Sequence, residues 1–148
     1  MIVKSVSAPQ GELVDKEFLF PVRVYYEDTD AGGIVYYANY LKFAERCRTE
    51  FIRSLGGRQQ DDLQSLERTA WVVRHCEADY MAPAVLDDEL VVSCRITNLG
   101  GVTATMHQEI RRRAEVLVAI DIKAAHISLN TKKPVRIPKA LMEKLVYK

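Results

Sequence analysis

The chain has 148 residues, 48% hydrophobic and 28% charged, with a formal net charge of +1 at pH 7. That length fits one domain able to bury a sizeable core, and so balanced a charge excludes a strong nucleic-acid or membrane field. The 3 cysteines form no CxxC pair, which excludes a zinc ribbon or a dithiol motif, and no window has the apolar length of a membrane helix or a secretion signal. The expectation is a cytoplasmic protein with reduced thiols and no membrane insertion.

Residues 1–17 are mixed and polar and read as an N-terminal arm ahead of a single domain over 18–148. From Phe18 the pattern alternates. Phe20, Val22, Val24 and Tyr26 share one parity, the period of a strand with one buried face. Pro21 suits the free side or the start of such a strand, where a missing N–H is tolerated. The strand runs into an acidic turn carrying Glu27, Asp28 and Asp30, then the pair Gly32-Gly33.

Behind the turn, Asn39 reads as a helix N-cap, its side chain accepting from free N–H groups of the first turn. Tyr40, Phe43, Ala44, Cys47, Phe51 and Leu55 then recur at three- and four-residue steps. That spacing predicts one apolar stripe on a helix of about four turns, stopped by Gly56-Gly57. A polar connector covers 58–68.

Strands follow without intervening helices. "TAWVVRHCEADYMAP" is rich in β-formers and closes at Pro83. In the next three segments one face carries Leu90, Val92, Cys94 and Ile96, then Val102, Ala104, Met106 and Ile110, then Val116, Val118, Ile120 and Ile122. The connectors "NLGG" and "RRAE" are short enough for antiparallel hairpins. Pro138 opens a last helical segment, "PKALMEKLVYK". The order strand, long helix, four strands, short helix argues for an α+β fold, a one-sided antiparallel sheet wrapped around a central helix.

Several chemistries lack their motifs. There is no GxSxG elbow, no GxxxxGK[ST] loop and no strand followed by GxGxxG. His75, His107 and His126 have no metal spacing, so no metal or cofactor is implied. The acidic turn remains, with two readings. It is a solvated turn before a capped helix, or it aims a carboxylate at a bound carbonyl that helix N–H groups polarise.

The segment "VRVYYEDTDAGGIVYYANYLKFAERCRTEFIRSLG" resembles the hotdog-fold acyl-CoA thioesterases of the 4-hydroxybenzoyl-CoA thioesterase family. Its closest likeness within that family is to the YbgC branch, associated with the bacterial Tol-Pal envelope system. The resemblance continues through "PAVLDDEL", "AEVLVAIDI" and "KPVRIPKAL" and spans about residues 20–143. It implies a hotdog fold and hydrolysis of an acyl-CoA thioester to free CoA and a carboxylic acid. Asp30 matches the catalytic carboxylate, as nucleophile or general base, and the backbone N–H of Tyr37 matches the group that polarises the carbonyl. Gly33 matches the glycine that lets the loop close over the acyl group. Ile34, Val35, Asn39 and Tyr40 fall where the substrate pocket is shaped.

Tyr37 stands where many members of the branch carry histidine, so the carboxylate and the backbone dipole carry the step. The family's arginine-rich CoA segment has no match in "NLGGVTA", leaving Arg111–Arg113 and Lys132-Lys133 as candidate phosphate contacts. Glu27 and Asp28 read as solvated residues that position the loop. The resemblance also implies a homodimer or homotetramer with its pocket at the dimer interface, and acyl-CoA or acyl-carrier protein as donor. A hotdog dehydratase is disfavoured because residues 25–40 hold no histidine. The alternative is a non-catalytic acyl-CoA or protein-binding module of the Tol-Pal system.

Overall fold

The computed structural model describes residues 3–146. The ends of the predicted arm and of the predicted last helix, Met1-Ile2 and Tyr147-Lys148, lie outside the described residues. The strands are β1 (Glu12–Val14), β2 (Glu17–Arg23), β3 (Thr69–Tyr80), β4 (Glu89–Leu99), β5 (Thr103–Arg112) and β6 (Glu115–Ser128). The helices are α1 (Asn39–Ser54), α2 (Gln59–Gln64) and α3 (Lys139–Val146). All strands join one antiparallel sheet in the order β1-β2-β4-β5-β6-β3.

The period-2 faces fall where alternation places them. Phe18, Phe20 and Val22 of β2, Leu90, Val92 and Cys94 of β4, and Ala104, Met106 and Ile110 of β5 are buried. So are Val118, Ile120 and Ile122 of β6. Against that face lies the apolar stripe of α1, with Tyr40, Phe43, Ala44, Cys47 and Phe51 buried. Pairing irregularities at Val73/His75, Ile96/Asn98 and Ile110/Arg111 insert bulges, which bend strands and increase their twist. The result is a curved sheet wrapped around α1, the α+β hotdog arrangement.

Three local expectations change, and Pro21 lies as expected. The β2 alternation ends at Arg23, and Tyr26 lies in a 3₁₀ turn (Tyr26–Asp28), 82% exposed. Within the polar arm, Glu12–Val14 pairs back on β2. Pro21 lies beyond that pairing, where β2 has a free side. The connector contains the short, exposed helix α2.

Helix α1 ends as the glycines predict. Gly56 takes a φ of 89°, a left-handed conformation that costs glycine little. Lys144 of α3 then donates to the Leu55 carbonyl at 2.7 Å. A cation there also suits the negative end of the helix dipole. No helix among the described residues is long and apolar enough to cross a membrane.

On the outer face, His107 of β5 sits between Asp121 at 2.9 Å and Glu109 at 3.2 Å. The Asp121 hydrogen bond raises the imidazole pKa; partial burial opposes it and Glu109 adds to it. A raised folded-state pKa stabilises the fold fully below the unfolded value of about 6.5, and that contribution fades as pH rises through the folded value. His107→Gln is therefore expected to lower the melting temperature at about pH 6 and to cost progressively less toward about pH 9. Paired thermal melts across that range check this.

Candidate active site

Between β2 and α1 the chain makes a closely hydrogen-bonded turn around Asp28. Its side chain, only 8% exposed, accepts the Tyr25 N–H at 2.8 Å. Its carbonyl oxygen accepts twice, from the Tyr36 N–H at 3.0 Å and from the Asn39 side-chain amide at 2.8 Å. Asp28 is thus buried and structural where solvation was expected, while Glu27 is exposed. Asn39 also departs from expectation. The N-cap position falls on Ala38, and the Asn39 amide ties α1 back to the turn.

Asp30 has the opposite environment. It is exposed, and its Oδ1 accepts the Gly32 N–H at 2.8 Å, an Asx turn that holds the carboxylate on the loop. The backbone closes beneath it, with Asp30 N–H donating to Ile34 at 2.9 Å and Gly33 N–H to Asp30 at 3.0 Å. Gly33 has a φ of 83°, which strains any side chain, and open space where a Cβ would be.

Beyond it, the Tyr37 N–H makes no hydrogen bond to any described residue, whereas the Tyr36 and Asn39 N–H groups are both used. This unpaired N–H, two residues before a 16-residue helix, adds to the positive end of its dipole. The Asp30 carboxylate, with its Oδ2 still open, and the unpaired Tyr37 N–H therefore flank one short loop.

The remaining predicted site residues separate by burial. Gly33, Ile34 and Tyr37 are exposed. Val35 and Tyr40 are 2% and 3% exposed, so their side chains belong to the core and shape the site only by holding the turn. The Val35 N–H donates to the Ala84 carbonyl, and the Ala84 N–H donates to the Tyr40 hydroxyl, both at 2.9 Å.

The aromatic rings form a relay: Tyr36 to Tyr37 at 5.0 Å, Tyr37 to Tyr80 at 5.9 Å, and Tyr80 to Tyr40 at 5.9 Å. Burial raises the pKa of both Tyr40 and Tyr80, keeping them neutral at ordinary pH. Tyr80 and Ala84 were not singled out by sequence reasoning. Their signal was Pro83, which marked the end of β3 without showing where the following loop returned.

The buried thiols are outside this chemistry. Burial pushes Cys94 up to about 12 and raises Cys47 as well. A cavity of about 150 Å³ lies elsewhere, between α1, β3 and β5, with Arg48, Ile52, Trp71, Val73 and Met106 among its walls. No residue of the turn lines it.

The family model described as "Thioesterase superfamily" matches residues 32–119. This chain belongs to that family. The acyl-CoA thioesterase YbgC of Haemophilus influenzae is 44% identical over 127 residues, covering 86% of this chain and 93% of the relative. The acyl-CoA thioester hydrolase YbgC of Escherichia coli O6:H1 is 40% identical over 126 residues, covering 84% and 92%. Among solved structures, a probable thioesterase from Bartonella henselae superposes with a TM-score of 0.78 at 38% identity, covering 81% of this chain and 98% of that one.

The two aspartates should separate in stability. Asp28→Ala strands the Tyr25 N–H and is expected to lower the unfolding free energy by about 1–3 kcal/mol. Asp30→Ala removes only a surface Asx turn and should stay within about 0.5 kcal/mol of wild type. Urea denaturation followed by circular dichroism measures both.

Proposed function

We propose that this chain is an acyl-CoA thioesterase in which Asp30 acts on the thioester carbonyl and the Tyr37 N–H stabilises the developing oxyanion. The observation that carries the reading is the pairing of a loop-held, exposed carboxylate with an unused N–H at the start of α1. The names of the YbgC relatives supply the substrate class.

With Asp30 as general base, water attacks the carbonyl carbon while the carboxylate takes its proton. The oxyanion forms against the Tyr37 N–H and the positive end of α1, where preorganised donors stabilise it most. Collapse breaks the C–S bond. The sulfur leaves with the proton, giving CoA and a carboxylic acid. With Asp30 as nucleophile, the same oxyanion leads first to an acyl-aspartyl anhydride that water then opens. The Tyr37 side chain forms an apolar wall with Tyr36 and Tyr80 and moves no proton.

One chain leaves Asp30 exposed and Tyr37 60% exposed, so it does not enclose a thioester. This supports the reading that a second copy completes the pocket, in a homodimer or a dimer of such dimers. The sheet has two edges, β1 and β3, and β3, with 12 residues against 3, offers the longer one for that pairing.

Thiol release from short, long and aromatic acyl-CoAs and from acyl-carrier protein tests the reading. Asp30→Asn is expected to reduce the rate by about 10²–10⁴ while the fold persists. Single turnover in ¹⁸O-water separates the two roles, because only the nucleophile route labels the Asp30 carboxylate. Equal rates in wild type and variant would remove Asp30 from the chemistry. No release from any donor would leave a non-catalytic binding module, and acyl-CoA titration would then measure its affinity.

A further inference from the structure

The arginine run reads as a phosphate contact, but the structure spends two of its members otherwise. Arg111 makes a two-nitrogen contact to Glu17 at 3.1 and 3.0 Å and reaches Glu109 at 2.7 Å, all on the outer face. Arg112 turns toward the loop Pro83–Asp88. Its Nη1 donates to Asp88 Oδ2 at 2.8 Å and to the Pro83 carbonyl at 3.2 Å, and its Nη2 donates to Glu115 at 2.8 Å.

That loop also touches the turn. Asp88 Oδ2 accepts the Val85 N–H at 2.9 Å, closing the loop on itself. Burial would raise the Asp88 pKa, but the Val85 N–H and Arg112 outweigh it and hold the carboxylate ionised. Between these anchors lies Ala84, whose carbonyl takes the Val35 N–H and whose N–H reaches the Tyr40 hydroxyl. At the far end, Asp88 and Asp87 pair with the backbone of Val24, where β2 leaves the sheet. The loop therefore grips the turn on both sides of Asp30 and two residues before the Tyr37 N–H.

We infer that Arg112 is a positioning residue for the acidic turn, acting through Asp88 and the Pro83–Asp88 loop. The inference rests on the roles proposed above for Asp30 and Tyr37. A planar guanidinium suits the task because its separate nitrogens reach the hairpin carboxylate and the loop at once. A lysine ammonium is a single point charge that cannot span both.

Misplacing a reacting group by about 1 Å can cost about 100-fold in rate. A turn loosened at one anchor should lose on the order of tenfold in kcat with KM little changed. The experiment compares wild type, Arg112→Ala, Arg112→Lys, Arg111→Ala and Asp30→Asn by steady-state thiol release, thermal melts and amide hydrogen exchange. Arg111→Ala loses an ion-pair network of similar size on the outer face, so its kcat should match wild type.

Arg112→Ala should lower kcat and speed exchange of the Val35 and Ala84 amides, while the β5–β6 ladder exchanges as before. Arg112→Lys should restore part of both. Unchanged exchange at Val35, or faster exchange with kcat intact, would overturn the inference. A raised KM with kcat intact would overturn it too, and would make Arg112 a CoA phosphate contact. Asp30→Asn judges the underlying mechanism by itself. Full activity there would remove the carboxylate role, while the exchange data still decide whether Arg112 holds the turn.

Discussion

The carbonyl oxygen of Asp28 takes two donors, and the geometry of the turn between β2 and α1 hangs from that point. One donor is the Tyr36 N–H, which fixes the chain as it returns toward the helix; the other is the Asn39 amide, which fixes the helix itself. With the Asp28 carboxylate on Tyr25, a single buried residue joins the end of β2 to the start of α1. Two neighbours in an Asp-x-Asp motif thereby divide their labour. The buried one uses its polar atoms internally, as burial requires, and the exposed one keeps its carboxylate for solvent or substrate.

The same logic appears under the helix. Gln108 of β5 is fully buried at an inward position of a face otherwise made of Ala104, Met106 and Ile110. Its amide donates to the Ala44 carbonyl at 3.0 Å and its oxygen accepts from Arg48 at 2.9 Å. Hydrophobic contact would hold α1 on the sheet but would permit sliding along its axis. A satisfied polar pair in a low-dielectric core penalises any register that breaks it. Gln108 thus helps set how far the N-terminus of α1 projects toward the turn, which decides where the Tyr37 N–H lies.

Charge on the outer face follows a different rule. Arg111, Arg112 and His107 look alike in sequence as basic residues of one strand, yet His107 and Arg111 share Glu109 while Arg112 pairs with Asp88 and Glu115. Alternation along β5 puts His107, Glu109 and Arg111 on the outer face, where Asp121 comes from the neighbouring β6 and Glu17 reaches across β4 from β2. Arg112, at the end of the strand, escapes that face and meets the loop instead. The charge run is one feature in the sequence and two separate devices in the fold.

Periodicity and composition were enough to determine strands β2 to β6 and helix α1, the buried faces of β2, β4, β5, β6 and α1, the glycine stop of α1 and the α+β class, because those depend on local pattern along the chain, whereas α2 was missed. The motif around Asp30 was likewise legible, since its glycines and acids are neighbours. The division between Asp28 and Asp30, the conversion of Asn39 from cap to tie, and the burial of Val35 and Tyr40 were not. The first two rest on hydrogen bonds closed inside residues 25–39, which periodicity does not encode, and the third on bonds to the distant Ala84. The Ala84 backbone illustrates the reason: its side chain carries no signal, and its partners, Val35 and Tyr40, lie more than forty residues earlier. Local pattern determines which residues want burial. Only the packed sheet, helix and loop decide which polar group is buried and bonded and which is left exposed.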